Sequence, residues 1–137
     1  MVLLHLNQRE VEGIAILELK GRLVIGAEAE ALQQAFANLA DTGAARAILN
    51  FKHVAFIDST GLGVLVGAHT RFNTSGGGLK LLNLSSRHLQ LLVLTKLATV
   101  FEIFDDEQAA IDSFFPDREV KRFDILEFVK SQENEDQ

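Results

Sequence analysis

The sequence predicts an α/β domain: a mixed central β-sheet opened by an N-terminal hairpin, with about four helices. Three observations predict it. Two apolar runs, around Leu4 and Leu6 and across Ile14–Leu19, bracket the turn signal Glu12-Gly13. After them, strand-length apolar runs alternate with stretches of helical spacing, which is the pattern of a sheet with helical crossovers. The chain has 137 residues, 47% hydrophobic and 23% charged, enough for one core without metals or disulfides.

The elements follow in order. Gly21 closes the second strand of the hairpin. From Gly26 to Leu39 the apolar residues Ala29, Leu32, Phe36 and Leu39 recur at three or four residues, a first helix ended by Thr42-Gly43. Ala47–Phe51 reads as a short strand buried on both faces, and Lys52–Ile57 as a loop. A second helix runs from Asp58-Ser59-Thr60-Gly61 to about Asn73, with Leu62, Leu65, Val66 and Ala68 as its apolar positions. Ser75-Gly76-Gly77-Gly78 breaks the chain as a flexible turn before a strand at Leu79–Leu84. Ser85-Ser86 caps a third helix through Leu94. A short strand near Val100–Phe104 precedes Asp105-Asp106, which cap a fourth helix from Glu107 to Phe115, ended by Pro116. The domain is expected to span residues 1–116. Residues 117–137 form an extension in which Val120, Phe123, Leu126 and Phe128-Val129 outline one more amphipathic helix, expected to pack against its own domain rather than against a partner or a second copy. The last seven residues carry no apolar side chain and are expected to fray and remain disordered.

Several function classes drop out. There is no cysteine, hence no disulfide, zinc thiolate or thiol nucleophile. The net charge of −6 and the scatter of the 13 basic residues argue against direct nucleic-acid contact. The N-terminus lacks a signal-peptide pattern, and no apolar stretch approaches the roughly 18 residues of a membrane helix, so no membrane contact and a cytoplasmic location are expected. His5, His53, His69 and His88 show no metal-ligand spacing, so no metal is expected. Gly61, Gly63 and Gly67 fail the dinucleotide fingerprint, because Val66 stands where its third glycine belongs. Gly76-Gly77-Gly78 lacks the Lys-Ser/Thr of a P-loop, and no cofactor is expected. His53 lies near Ser59 in sequence, but no third orienting group accompanies it, and the chain is not expected to be an enzyme. Glu10, Glu12 and Glu18 read as solvated strand faces, and Asp105-Asp106-Glu107 as a capped helix start.

Chemistry concentrates at Asp58-Ser59-Thr60-Gly61-Leu62-Gly63. Asp58 and Ser59 both suit a helix N-cap. Gly61 and Gly63 place two residues without a β-carbon in the first turn, at roughly 1 kcal/mol of helix propensity each, and permit close approach of a partner or an oxyanion. A hydroxyl at a helix N-terminus is a favourable place for a phosphoryl group. On spacing alone a plain capping sequence explains the same residues.

The run Phe56-Ile57-Asp58-Ser59-Thr60-Gly61-Leu62-Gly63-Val64-Leu65 resembles the signature of bacterial anti-sigma-factor antagonists, the STAS-domain family. Supporting pieces occur in the family's order: Leu19-Lys20-Gly21-Arg22-Leu23, Ala31-Leu32, Ile48-Leu49-Asn50-Phe51, Gly77-Gly78-Leu79-Lys80-Leu81 and Leu97–Phe104. The likeness covers about residues 3–115. It implies a STAS-like single domain in which Ser59 accepts a phosphoryl group, with Thr60 as a second candidate acceptor. The implied partners are an anti-sigma factor that doubles as a serine-protein kinase and a phosphatase acting on phospho-Ser59. The unphosphorylated form binds the anti-sigma factor in a partner-switching pathway that regulates transcription. Asp58, Ser59, Thr60, Gly61, Leu62, Gly63 and Phe56 form the expected partner-binding set, and a homodimer is a further candidate assembly. Val24-Ile25 departs from the family, which often carries an acidic residue after Gly-x-Leu. The alternative is a non-switching STAS scaffold subunit of a larger signalling or transport-associated complex, with Ser59 only a cap.

Overall fold

The computed structural model describes residues 4–120 and 124–135. Strands β1 (Leu4–Val11) and β2 (Ile14–Leu23) form the hairpin, followed by α1 (Ala27–Asp41), β3 (Arg46–Ile57), α2 (Ser59–Thr74), β4 (Gly78–Leu82), α3 (Ser86–Leu94), β5 (Glu102–Phe104), α4 (Glu107–Asp112) and α5 (Ile125–Glu135). Glu12 and Gly13 both take positive φ, 51° and 81°, the conformation of a two-residue hairpin turn whose twist matches its strands.

The strands lie in chain order, β1-β2-β3-β4-β5. β1 and β2 are antiparallel and every later pair is parallel. Parallel crossovers are right-handed, so an order that never reverses sends each crossover helix to the same side. Residues of α1, α2 and α3, including Leu32, Phe36, Leu65, Phe72 and Leu92, share the larger core with one face of the sheet. The other face carries a smaller core of Ile14, Ile16, Ile48, Leu82 and Phe104 under Ala110 and Ile111 of α4. An order without reversal also lacks the switch-point crevice in which open α/β sheets hold dinucleotides.

Four boundaries differ from expectation. β2 does not end at Gly21 but passes through it at φ 122° as far as Leu23, with register shifts on either side. β3 continues through Lys52–Ile57, read from the sequence as a loop. This half of β3 pairs only with β2, while β4 pairs with Arg46–Asn50, so its residues are largely exposed and the bulges break the two-residue alternation that marks a strand. α4 stops at Asp112, because Phe114 and Phe115 turn inward against the smaller core. β4 ends at Leu82, where Asn83 takes φ 61°.

The carboxylates of the hairpin are not simply solvated. Arg9 pairs with Glu18 at 2.8 Å and also with Glu107 of α4. Glu12 in the hairpin turn and Asp112 at the end of α4 both accept from Arg118, each at 2.8 Å, and Arg118 lies over the Phe115 ring. These straps fasten α4 and the segment after it to the sheet.

The extension is helical further than expected: α5 runs to Glu135, so five of the seven residues expected to fray are in the helix. Ile125 and Phe128 pack against the larger core, Val120 against the smaller one, and Leu126 faces solvent. Phe123, named with them in the sequence, lies outside the described residues.

Candidate functional site

β3 delivers the chain to Asp58, and α2 begins at Ser59. Asp58 has extended backbone (φ −102°, ψ −177°) and is the N-cap. Its Oδ1 accepts from the Gly61 N–H at 2.9 Å and its Oδ2 from the Ile25 N–H at 2.9 Å. Its own N–H donates to the Leu23 carbonyl at 3.1 Å, and its carbonyl accepts from Leu62 at 3.0 Å. One carboxylate therefore caps α2 and latches the loop after β2 to the helix start. Partial desolvation pushes the Asp58 pKa up, but the N–H donors of Gly61, Ile25 and Thr60 outweigh it and hold the group below the usual carboxylate range.

With Asp58 engaged on two sides, Ser59 stands exposed at the first helical position. Among the described residues its hydroxyl has no hydrogen-bond partner. The expectation that Ser59 shares the capping role is corrected: Asp58 alone supplies the cap. The first turn of α2 contains no acidic residue, so Asp58 is the negative charge that meets the positive end of the helix dipole.

The remaining predicted site residues separate into two groups. Thr60 is half-buried, and Gly63 is exposed with nothing within 4 Å of where a β-carbon would sit. Phe56 is 43% exposed, with the Arg22 guanidinium 5.7 Å from its ring centre. Gly61 and Leu62, in contrast, are buried. A β-carbon at Gly61 would lie 2.5 Å from the Leu23 carbonyl oxygen and 2.9 Å from Leu23 Cγ. The close approach foreseen at Gly61 is thus made by this chain's own β2. Gly61 and Leu62 serve the core, which corrects their placement among the partner-facing residues. Val54 is buried with them.

Ile25 was missed as a partner of the cap. It is 70% exposed, and its N–H binds Asp58. The available signal was the apolar Val24-Ile25 pair where the family often carries an acid. His53 is exposed on β3, four residues before its end at Ile57, about 13 Å along the strand, too far to serve Ser59 as a base. Among the described residues, no group of three or more His, Asp or Glu could hold a metal ion, and no helix is long and apolar enough to cross a membrane.

A STAS domain family model matches residues 5–110, and the chain belongs to that family. The anti-sigma-B factor antagonist of Bacillus subtilis (strain 168) is 41% identical over 75 residues, which span 55% of this chain and 68% of that protein. The anti-sigma F factor antagonist of Paenibacillus polymyxa is 31% identical over 64 residues, 47% of this chain and little more than half, 55%, of its own length. The solved structure of the Bacillus cell fate determinant SpoIIAA in its phosphorylated form matches with a TM-score of 0.64 at 22% identity, over 80% of this chain and 98% of that one. That likeness is one of fold.

Proposed function

We propose that this chain is an anti-sigma-factor antagonist: a protein-binding module, not an enzyme, switched by phosphorylation of Ser59. The observation that carries the reading is the division of labour at the junction. Asp58 performs the capping, which leaves the neighbouring hydroxyl exposed and unbonded at the positive end of α2. A serine needed only as a cap would be turned inward to the helix N–H groups.

The switch follows from charge and solvation. Ile25, bonded to the cap Asp58, Phe56, three residues before Ser59, and Gly63, about one helical turn after it, all expose apolar or backbone surface. In the unphosphorylated state that surface can be desolvated by an anti-sigma factor at little electrostatic cost. A phosphoryl group adds about −1.5 to −2 charges at pH 7. The helix dipole partly stabilises it, while Asp58 next to it repels it, so the domain's own stability changes little. Burying that dianion against Ile25 and Phe56 has no such compensation, and the complex dissociates. The same anti-sigma factor acts as the kinase, and a phosphatase restores the binding form. Support comes from the names of the two curated relatives and from the existence of a phosphorylated form of SpoIIAA.

The test is the intact mass of the protein recovered from its native cells, with peptide mapping and a Ser59→Ala control. A gain of one phosphoryl group, absent from Ser59→Ala, is expected. Ser59→Asp should lose the partner that the unmodified chain captures. A chain that stays unmodified in growing and in stressed cells refutes the switch and leaves a scaffold subunit in its place.

A further inference from the structure

At the opposite end of the sheet from Ser59, the N-terminal ends of β3, β4 and β5 open onto a recess of about 510 Å³, within the range of small-molecule sites. Arg46 begins β3 opposite Gly78, which begins β4, and Lys80 on β4 stands opposite Glu102 on β5. Asn73 of α2 and Thr99 of the α3–β5 loop complete the polar rim, and Phe114 forms an aromatic wall. Among the described residues the charges do not cancel. Lys80, nearly buried, is paired with Glu102, and its Nζ lies 4.6 Å from the Phe114 ring centre. Among the described residues Arg46 has no carboxylate partner: its guanidinium lies over the Phe115 and Phe114 rings at 5.6 and 6.0 Å. Among the described residues one positive charge is therefore left over, in a protein whose net charge is −6.

We infer that this recess binds a small organic anion, a carboxylate or a phosphomonoester with a compact ring, whose charged end meets Arg46 and whose body lies against Phe114. A guanidinium that lies near aromatic rings rather than against a carboxylate keeps N–H groups for an oxyanion, which it can grip in bidentate fashion. A concave site also concentrates the field of an uncompensated cation. The volume exceeds what an inorganic oxyanion fills, and the Phe114 wall favours a ring. The Thr99 hydroxyl and the second N–H of Asn73, whose amide already donates to His69 at 3.1 Å, are further donors on the rim. This site is independent of the Ser59 reading.

The experiment is an amide-resolved NMR titration of the full chain with benzoate, phenyl phosphate and, as a neutral control, benzyl alcohol. Saturable shifts at Arg46, Asn73, Gly78, Thr99 and Glu102 are expected with at least one of the two anions, and their relative affinities identify the charged group. Arg46→Gln should weaken binding by about tenfold or more, as loss of a charged hydrogen bond predicts, and Arg46→Lys should restore part of it, with both variants checked for an unchanged spectrum away from the recess. No saturable shift with either anion, equal shifts with benzyl alcohol, or undiminished binding by a folded Arg46→Gln would each overturn the assignment.

Discussion

A glycine with no room for a side chain stands in the first turn of α2 and another just beyond its last, and the two ends differ in everything else. At the start, Gly61 rests on the Leu23 carbonyl, with an acidic cap and an exposed hydroxyl beside it. Beyond the finish, Gly77 rests on Ala45: a β-carbon there would lie 1.6 Å from the Ala45 carbonyl oxygen, next to a recess with a spare cation. The side chains around each glycine then give one end an exposed hydroxyl and the other a cation. A glycine in a signature is therefore weak evidence of a binding surface until its neighbours are known.

The largest effect should come from Gly77→Ala. The clash is with backbone, which cannot swing away, so a loss of about 3 kcal/mol or more is expected in chemical denaturation, at the upper end of overpacking costs. Gly61→Ala meets the Leu23 carbonyl at a longer distance and a side chain that can shift, and about 1–3 kcal/mol is expected. Gly63→Ala, two residues on, has open space. It should raise stability by up to about 1 kcal/mol through helix propensity while weakening capture of the partner. If Gly61→Ala and Gly63→Ala shift the denaturation midpoint alike, the division between packing and surface glycine fails.

Smaller effects sharpen the same contrast. Asp58→Ala removes both the cap and the Ile25 latch and should cost about 1–2 kcal/mol at neutral pH. Because the folded pKa of Asp58 is depressed, its contribution is present above the unfolded value, near 3.8, and is lost as pH falls through the folded one. The gap between wild type and Asp58→Ala should therefore narrow in acid. His88, buried on α3, adds a second loss of stability in acid, one that begins at higher pH. It is buried against Phe51, neither ring nitrogen has a hydrogen-bond partner among the described residues, and burial, aided by Arg87, pushes its pKa down. As pH falls below its ordinary value of 6.5, the unfolded chain takes up the proton first, so stability declines with acid over that range. Thermal melts of His88→Leu should show a flatter profile between about pH 6.5 and 5, the span just below the ordinary histidine pKa.

Much of the frame was legible because local rules and tertiary packing agree. The hairpin turn at Glu12-Gly13, the period of Ala29, Leu32, Phe36 and Leu39, and the caps at Ser85 and Asp106 all stand where pattern places them. The outer half of β3 was not legible. A strand paired on one side only, with Lys52, His53 and Phe56 exposed and two bulges against β2, has no two-residue period to read. At the site, a cap at Asp58 follows from residue type and position, but the exposure of Ser59 does not, because both residues suit an N-cap and the structure uses only Asp58. The burial of Gly61 depends on Leu23, thirty-eight residues earlier in the chain, and no local signal encodes it. Arg46 was invisible for the same reason: only the sheet register brings it beside Gly78 and the Phe114 ring.

The Arg118 strap has a consequence for how the molecule assembles in time. Its bond to Glu12 joins residues 106 positions apart. Chain entropy opposes closing so long a loop before the strands between have paired, so the strap belongs to the last stage of folding, after the barrier. Arg118→Ala should then leave the refolding rate almost untouched and speed unfolding, making the contact a clasp on the lifetime of the native state rather than a guide to reaching it.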